Sequence, residues 1–416
     1  VIVKLWDKGT KIDQLIEDFT VGSDYLLDQA LLTADCQGSI AHARTLERAG
    51  ILTAAETARL IQELETIERD GLTLRKEDED VHTALENVLC ARLGDLGKKI
   101  HTGRSRNDQV MVDLQLWSRG QLQAIHAQGL TLAETINEFA RQHPDVMPGY
   151  THMQRAMPSS IPLLAGSYIE SLLDDLCILE TAMNINNVNP LGSAAGYGSS
   201  LNLDRDYTAQ LLGFHGSRNP IYVQNRPKLM SIMLFSLAGF MKTLDKIAAD
   251  LLLFTMAEFR FFSLPEAFCT GSSIMPQKKN YDVLELTRAK AAQLHGLLAS
   301  VEMLGSKLPS GYNRDYQLTK GPLFEAVRIT SQSLAVMTGI FQQLEVNSER
   351  LRQAISPELF ATDRAYELVQ AGTPFRTAYL MVAQNLDQIV VPDDIMQDRD
   401  FLRFRDYTPE ITQHRP

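Results

Sequence analysis

Cysteine is scarce in this sequence: four among 416 residues, Cys36, Cys90, Cys177 and Cys269, with no C-x-x-C pair. That spacing offers neither a disulfide framework nor a zinc site. Isolated thiols fit a reducing, cytoplasmic compartment. Positive charge is also short. Lys and Arg number 40 against 51 Asp and Glu, and the formal net charge of −11 argues against a nucleic-acid partner. Long apolar runs are missing too. The most apolar stretch, Leu229 to Met241, covers 13 residues between Lys228 and Lys242, too few to span a membrane. The opening V-I-V-K-L-W-D-K has no signal-peptide pattern. There is no H-E-x-x-H and no P-loop. The glycine-rich N-P-L-G-S-A-A-G-Y-G-S-S, Asn189 to Ser200, follows no strand, so it reads as a loop rather than a dinucleotide site. No cofactor and no metal are expected. Alternating strand patterns are absent as well.

What is present is helical periodicity. The composition, 44% hydrophobic and 22% charged, is that of a globular chain long enough for about two or three domains. Asp24 to Ala49 reads as one helix closed by Gly50. Thr53 opens T-A-A-E, a capping box with Glu56, and that helix runs to about Arg69 before Gly71. Arg75 to Asp80, R-K-E-D-E-D, reads as a solvated turn. Long helices are predicted after Gln109 up to Pro144, from about Ser160 to Asn187, from about Pro227 to Phe262, from Asp282 to about Leu304, and from Pro322 through Phe341. In the third of these segments, Met230, Leu234, Leu237, Met241, Leu244, Ala248 and Leu251 alternate by three and four, as in bundle packing. The pattern predicts an all-α fold with a central bundle of about five long helices. Its divisions are an N-terminal helical domain over 1–100, the long-helix domain over 101–345 and a small helical domain over 346–416. Helices this apolar favour association, so a homo-oligomer is expected.

Polar residues concentrate where those helices break. Five such stretches stand out: around His82, His101 to Gln109, Thr151 to Arg155, Ser272 to Asn280, and Tyr312 to Lys320. They hold Arg104, Arg106, Arg155, Lys278, Lys279, Arg314 and Lys320, a set suited to a ligand bearing several carboxylates. The stretch Thr270 to Asn280, T-G-S-S-I-M-P-Q-K-K-N, has a mobile loop's composition, with Gly271, Pro276 and two serines. Taken singly, each basic residue or histidine is as well explained by a surface ion pair or a satisfied core position. Spacing alone names no reaction.

Gly271 to Asn280, G-S-S-I-M-P-Q-K-K-N, resembles the signature of the fumarase/aspartase superfamily, whose members eliminate fumarate from succinyl-type substrates. H-T-G-R-S-R-N-D-Q-V (His101 to Val110), P-G-Y-T-H-M-Q-R-A (Pro148 to Ala156) and Y-N-R-D-Y-Q-L-T-K (Tyr312 to Lys320) are similar to motifs of the argininosuccinate lyase family. So are A-T-D at Ala361 to Asp363 and G-T-P-F-R at Gly372 to Arg376. The resemblance implies a fumarase/aspartase-like fold and a homotetramer with active sites shared between subunits. It implies reversible cleavage of a small-molecule substrate, argininosuccinate, to fumarate and L-arginine in arginine biosynthesis. A base removes a proton beside a carboxylate, and positive charge stabilises the resulting aci-carboxylate. The guanidino group then leaves with help from a proton. By motif position the implied catalytic residues are Ser272 as base, Lys278, and His152 paired with Glu285, acting through water or as an acid. Ser105, Arg106, Asn107, Thr151 and Asn280 are implied on the fumarate part, and His82, Tyr312, Gln317 and Lys320 on the remainder of the substrate.

Some positions depart from the family pattern. The usual W-G-G-R-F is L-W-D-K-G-T, Leu5 to Thr10, and Ser23 or Asp24 falls where a serine is usual. I-Y-V-Q-N-R-P-K, Ile221 to Lys228, replaces D-x-x-S-D-R-D-F, and Tyr281 stands where proline usually follows the signature. Two other readings compete: a sister lyase acting on adenylosuccinate, aspartate or malate, and a non-catalytic structural relative.

Overall fold

Helices make up nearly all the regular structure of the computed structural model, which describes residues 13–397 and 399–415. The Leu5 to Thr10 segment lies outside the described residues. The five long helices are Arg106–Gln142, Ile161–Asn186, Arg226–Phe254, Asp282–Gly305 and Lys320–Gln343. The expected seam of the third is fully used, with Met230, Leu234, Leu237, Met241, Leu244 and Ala248 all 0% exposed. The side chain of Phe235 on the same helix is 58% exposed. Among the described residues no helix is long and apolar enough to cross a membrane.

The chain divides into two compact units, and every boundary falls inside a long helix. The first comprises Val1–Ala124, Leu179–Ser236 and His295–Val327. Its Ala54–Asp70 helix starts at the expected capping box: Glu56 N–H donates to Thr53 Oγ1 (3.3 Å) and Thr53 N–H to Glu56 Oε2 (2.9 Å). Leu60, Leu64 and Ile67 from its inner face and Leu46 from the Leu32–Arg48 helix are buried in this unit's core. Asp108, at the start of the Arg106–Gln142 helix, accepts the N–H groups of Ser105 (2.8 Å), Gly192 (3.2 Å) and Ala194 (2.8 Å). The glycine-rich 189–200 segment is thus a structural strap on that helix start, not a nucleotide loop. Its bends need positive φ at Gly192 (81°) and Ala194 (50°).

The second unit comprises Ile125–Ile178, Leu237–Leu294 and Arg328–Pro416. Leu132, Ile136, Ile169, Leu172, Leu176, Leu334 and Ile340 are fully buried in it. Its C-terminal helices close a smaller apolar cluster of Leu359, Phe360, Ala365, Ala378, Val382 and Ile389. The chain end is tied down by Ser160 Oγ donating to Leu402 O (2.6 Å) and Tyr407 Oη donating to Glu170 (2.8 Å).

Three expectations need correction. The single helix over Asp24 to Ala49 is broken into Asp24–Asp28, a 3₁₀ turn Gln29–Leu31 and Leu32–Arg48. Gln29 causes the break by bridging Leu72 O (2.8 Å) and Leu74 N–H (3.1 Å) across the chain. The helix expected to reach Phe262 stops at Phe254, because Phe261 N–H returns to Phe254 O (3.0 Å) with Arg260 at φ 51°. The aromatic rings left over pack on one another, with Phe254 and Phe261 centroids 5.8 Å apart. Finally, Val146–Thr151 and Gln154–Ser160 form an antiparallel hairpin where only a polar break was read. Pro148 and Pro158 obscure it, since prolines argue against strands. They face each other here, beside a bulge between Pro148 and Tyr150. Two shorter pairings join Phe262–Ser263 to Glu345–Val346 and Thr270–Gly271 to Lys279–Asn280.

The closest backbone approach in the first unit is at Gly97, where a Cβ would lie 2.5 Å from the carbonyl of Leu89. Gly97→Ala is therefore expected to destabilise the protein by about 2–3 kcal/mol. A denaturant midpoint equal to that of the parent would contradict this packing.

Candidate active site

Five segments of the first unit meet around one cavity of about 240 Å³. Its lining includes Asp24, Asp28, Glu79, Asp80, His82, Arg106, Asn107, Arg226, Tyr312, Arg314, Gln317 and Lys320. Six of these were expected from the sequence: His82, Arg106, Asn107, Tyr312, Gln317 and Lys320. Ser105 is set by a different task, its Oγ accepting Asn107 N–H at 3.3 Å where the helix starts. Lys320 is 2% exposed and begins the Lys320–Gln343 helix. Its ammonium donates to Asp24 Oδ2 (2.7 Å) and to Asp28 Oδ1. Asp28 also accepts Val81 N–H (3.2 Å), so one carboxylate joins three distant chain segments. Burial and the neighbouring Asp28 carboxylate raise Asp24 against the opposing pull of Lys320. Asp24, not Ser23, is the residue that reaches the cavity.

Arg106 is held by Glu79 (3.3 Å), Asp80 (3.2 Å) and the hydroxyl of Thr83. Asp80 in turn caps the Val81–Leu93 helix, accepting Thr83 N–H at 2.9 Å. Burial disfavours the Asp80 carboxylate, but His82, Arg106 and Thr83 outweigh it and hold Asp80 below its ordinary range. The stretch Arg75 to Asp80 is therefore only partly a solvated turn. Asp78 is 4% exposed and Asp80 joins the cavity.

His82 sits between two further buried carboxylates, with Nδ1 3.2 Å from Asp35 Oδ2 and 3.6 Å from Asp113 Oδ2. Burial alone would neutralise the ring, yet Asp35, Asp113 and Asp80 outweigh it and raise His82 to about 9. Burial and the Asp35 charge push Asp113 well above the carboxylate range. At neutral pH His82 is thus a buried imidazolium at the cavity wall.

The remaining expected residues lie in the second unit. Pairing of Thr270 with Asn280 and Gly271 with Lys279 closes the base of the signature loop and leaves 272–278 as its tip. Ser272 Oγ accepts the N–H groups of Ile274 (3.3 Å) and Met275 (3.0 Å). Donors aimed at an oxygen favour its anionic form. Asn280 Nδ2 donates to Gly271 O (3.4 Å), and Lys279 pairs with Glu266 (2.7 Å). Lys278 is exposed, and its ammonium has no protein partner among the described residues. Ile274, at the tip, is 83% exposed. Tyr281 occupies the position before the Asp282–Gly305 helix, and its carbonyl accepts Leu284 N–H (2.9 Å).

His152 and Met153 form the two-residue turn of the hairpin, with φ of 53° and 61°. Such turns favour Asn and Gly, so an imidazole here stands on a strained, solvent-facing tip. Thr151 is exposed beside it. Glu285 is exposed on the first turn of its helix, and no hydrogen bond or ion pair joins it to His152 among the described residues. A single chain therefore assembles the cavity set but not the His152–Glu285 pair.

Sequence reading missed Asp24 and Asp28 as a pair, and Arg226. The i, i+4 spacing of the two aspartates was the available signal, and Arg226 lay hidden in the departing Ile221 to Lys228 segment.

A family model described as "Lyase" matches residues 8–296. An argininosuccinate lyase from Sorangium cellulosum is 43% identical over 94% of this chain and 92% of its own length. One from Thermotoga neapolitana is 41% identical over 92% of this chain and 98% of its own. Among solved structures, a variant of EDDS lyase with bound fumarate is 28% identical with a TM-score of 0.76, covering 90% of this chain and 76% of that one. A class II fumarase from Schistosoma mansoni, 16% identical with a TM-score of 0.76 over 92% of this chain and 95% of its own, shares the fold.

The His82 cluster has a defined pH signature. A folded value near 9 against about 6.5 for the free ring means its stabilisation is complete below pH 6.5 and lost as pH rises through 9. The unfolding free energy should fall by on the order of 2 kcal/mol between pH 7 and 10. His82→Gln, though less stable throughout, should show a flatter slope over that window; equal slopes would contradict a charged His82.

Proposed function

The chain belongs to the argininosuccinate lyase family, and on that premise we propose that it catalyses the reversible elimination of fumarate from argininosuccinate, releasing L-arginine. The observation that carries this reading is Ser272, whose Oγ is met by two backbone N–H groups in a loop that also presents a free Lys278 ammonium. A serine hydroxyl is far too weak an acid to ionise unaided at neutral pH; hydrogen-bond donors and a nearby cation are what shift it.

Ser272 takes the proton from the succinyl carbon next to a carboxylate. Lys278 and Asn280 hold the aci-carboxylate that forms, with Ser105, Arg106, Asn107 and Thr151 binding the fumarate part. The C–N bond then breaks, and the leaving guanidino nitrogen gains a proton, with His152 and its partner Glu285 supplying or relaying it. His82, Tyr312, Gln317 and Lys320 hold the rest of the substrate. His152 and Glu285 are both exposed in one chain, as are Phe235, Leu286 and Met303 on the long helices. Exposed apolar side chains on long helices and an unformed catalytic pair both support a homotetramer with active sites shared between subunits. We place the enzyme in the cytoplasm, in arginine biosynthesis.

The purified protein, given argininosuccinate, adenylosuccinate, aspartate or malate in turn, should release ultraviolet-absorbing fumarate from the first alone. No fumarate from argininosuccinate, or a faster reaction with another substrate, would overturn the assignment. Ser272→Ala should lower kcat by about 10²–10⁴-fold with KM nearly unchanged, whereas retained turnover would exclude Ser272 as base.

A further inference from the structure

We propose that Arg226 is the residue that recognises the α-carboxylate at the amino-acid end of the substrate, through an Nη2 group that has no partner among the described residues. The inference rests on the function proposed above and assigns a specificity role to a residue outside the expected set. Arg226 is 2% exposed and lines the cavity that holds Lys320. Its orientation is fixed: Nε donates to Thr319 Oγ1 at 3.0 Å, and that hydroxyl spends its own proton on Tyr316 O at 2.7 Å. Thr319 is itself 0% exposed, so the anchor is rigid. With Nε spent, the buried Nη2 has no hydrogen-bond partner among the described residues. A buried guanidinium N–H left unmatched is costly unless a ligand completes it.

The chemistry of that ligand follows from the neighbours. A guanidinium edge presents a planar fork that fits a carboxylate. Lys320 is in direct ion pairs with Asp24 and Asp28, whereas Arg226 feels the same two carboxylates only at longer range and is in no ion pair among the described residues. Arg226 is therefore the less neutralised buried cation of this lining. The same cavity carries Asp24, which offers an acceptor for an ammonium. A carboxylate donor site and an ammonium acceptor site in one cavity suit the zwitterionic head of an amino acid better than the dianionic succinyl part.

The reverse reaction tests this directly. Fumarate consumption is followed with arginine or with agmatine, which is arginine without its α-carboxylate. The unmodified enzyme should favour arginine by at least about 10-fold in kcat/KM, the worth of one charged hydrogen bond. Arg226→Gln should lower kcat/KM for arginine by about 10- to 100-fold, mostly through KM, and for agmatine by less than about 3-fold. Equal losses on both amines would assign Arg226 a structural role or place it on the succinyl end, and would overturn the proposal. Should Arg226→Gln fail to fold, the unmodified enzyme decides: indifference between arginine and agmatine overturns the proposal. Activity on argininosuccinate, measured alongside, separates this outcome from failure of the assigned reaction.

Discussion

One buried cation holds the cavity together. The ammonium of Lys320, with its side chain 2% exposed, lies between Asp24 and Asp28, whose side chains are 15% and 1% exposed. Removing that charge would leave two carboxylates facing each other away from water, a loss on the order of 3–5 kcal/mol. The pairing also fixes geometry. Asp28 reaches the N–H of Val81, which places the start of the Val81–Leu93 helix and therefore His82 and the Asp80 cap that positions Arg106. An apolar helical scaffold has few ways to hold many charges. Here Lys320, Arg106 and Asp80 sit at helix starts, each matched by another charge or by free N–H groups.

The groups proposed for proton transfer follow a different rule. Ser272, Lys278, His152 and Glu285 lie on a loop, a hairpin tip and a first helical turn, all of them solvent-facing or partly so. The hairpin tip holds His152 at φ 53°, a conformation kept only because two strands on either side over-determine it. In the proposed mechanism the buried, pre-paired groups bind the substrate and the exposed groups carry the proton transfer. That contrast is what association between subunits would resolve, since packing further chains against the exposed tips removes water and strengthens every charge there.

Much of this was legible in the chain. The seam from Met230 to Leu251 and the Thr53–Glu56 capping box are local patterns, and local patterns survive folding. The signature loop was visible for the same reason, because its function depends on contiguous residues. The prolines of the hairpin hid two strands, since their pairing opposite one another at a bulge is a property of the pair and not of either segment. The break at Gln29 was hidden because its cause, the backbone at Leu72 and Leu74, is more than forty residues away. The Asp24–Asp28 pair and Arg226 escaped for a like reason: each is defined by a partner, Lys320 or Thr319, that only the fold brings near.

Mixing two inactive variants tests the sharing of sites most directly. Subunits carrying Ser272→Ala lack the proposed base, and subunits carrying Lys320→Met lack the proposed binding cation. After the two are dissociated mildly and reassembled together, mixed assemblies should release fumarate from argininosuccinate although neither parent does, because some sites would draw an intact loop and an intact cavity from different chains. No recovery, in assemblies shown by mass to contain both variants, would contradict active sites shared between subunits.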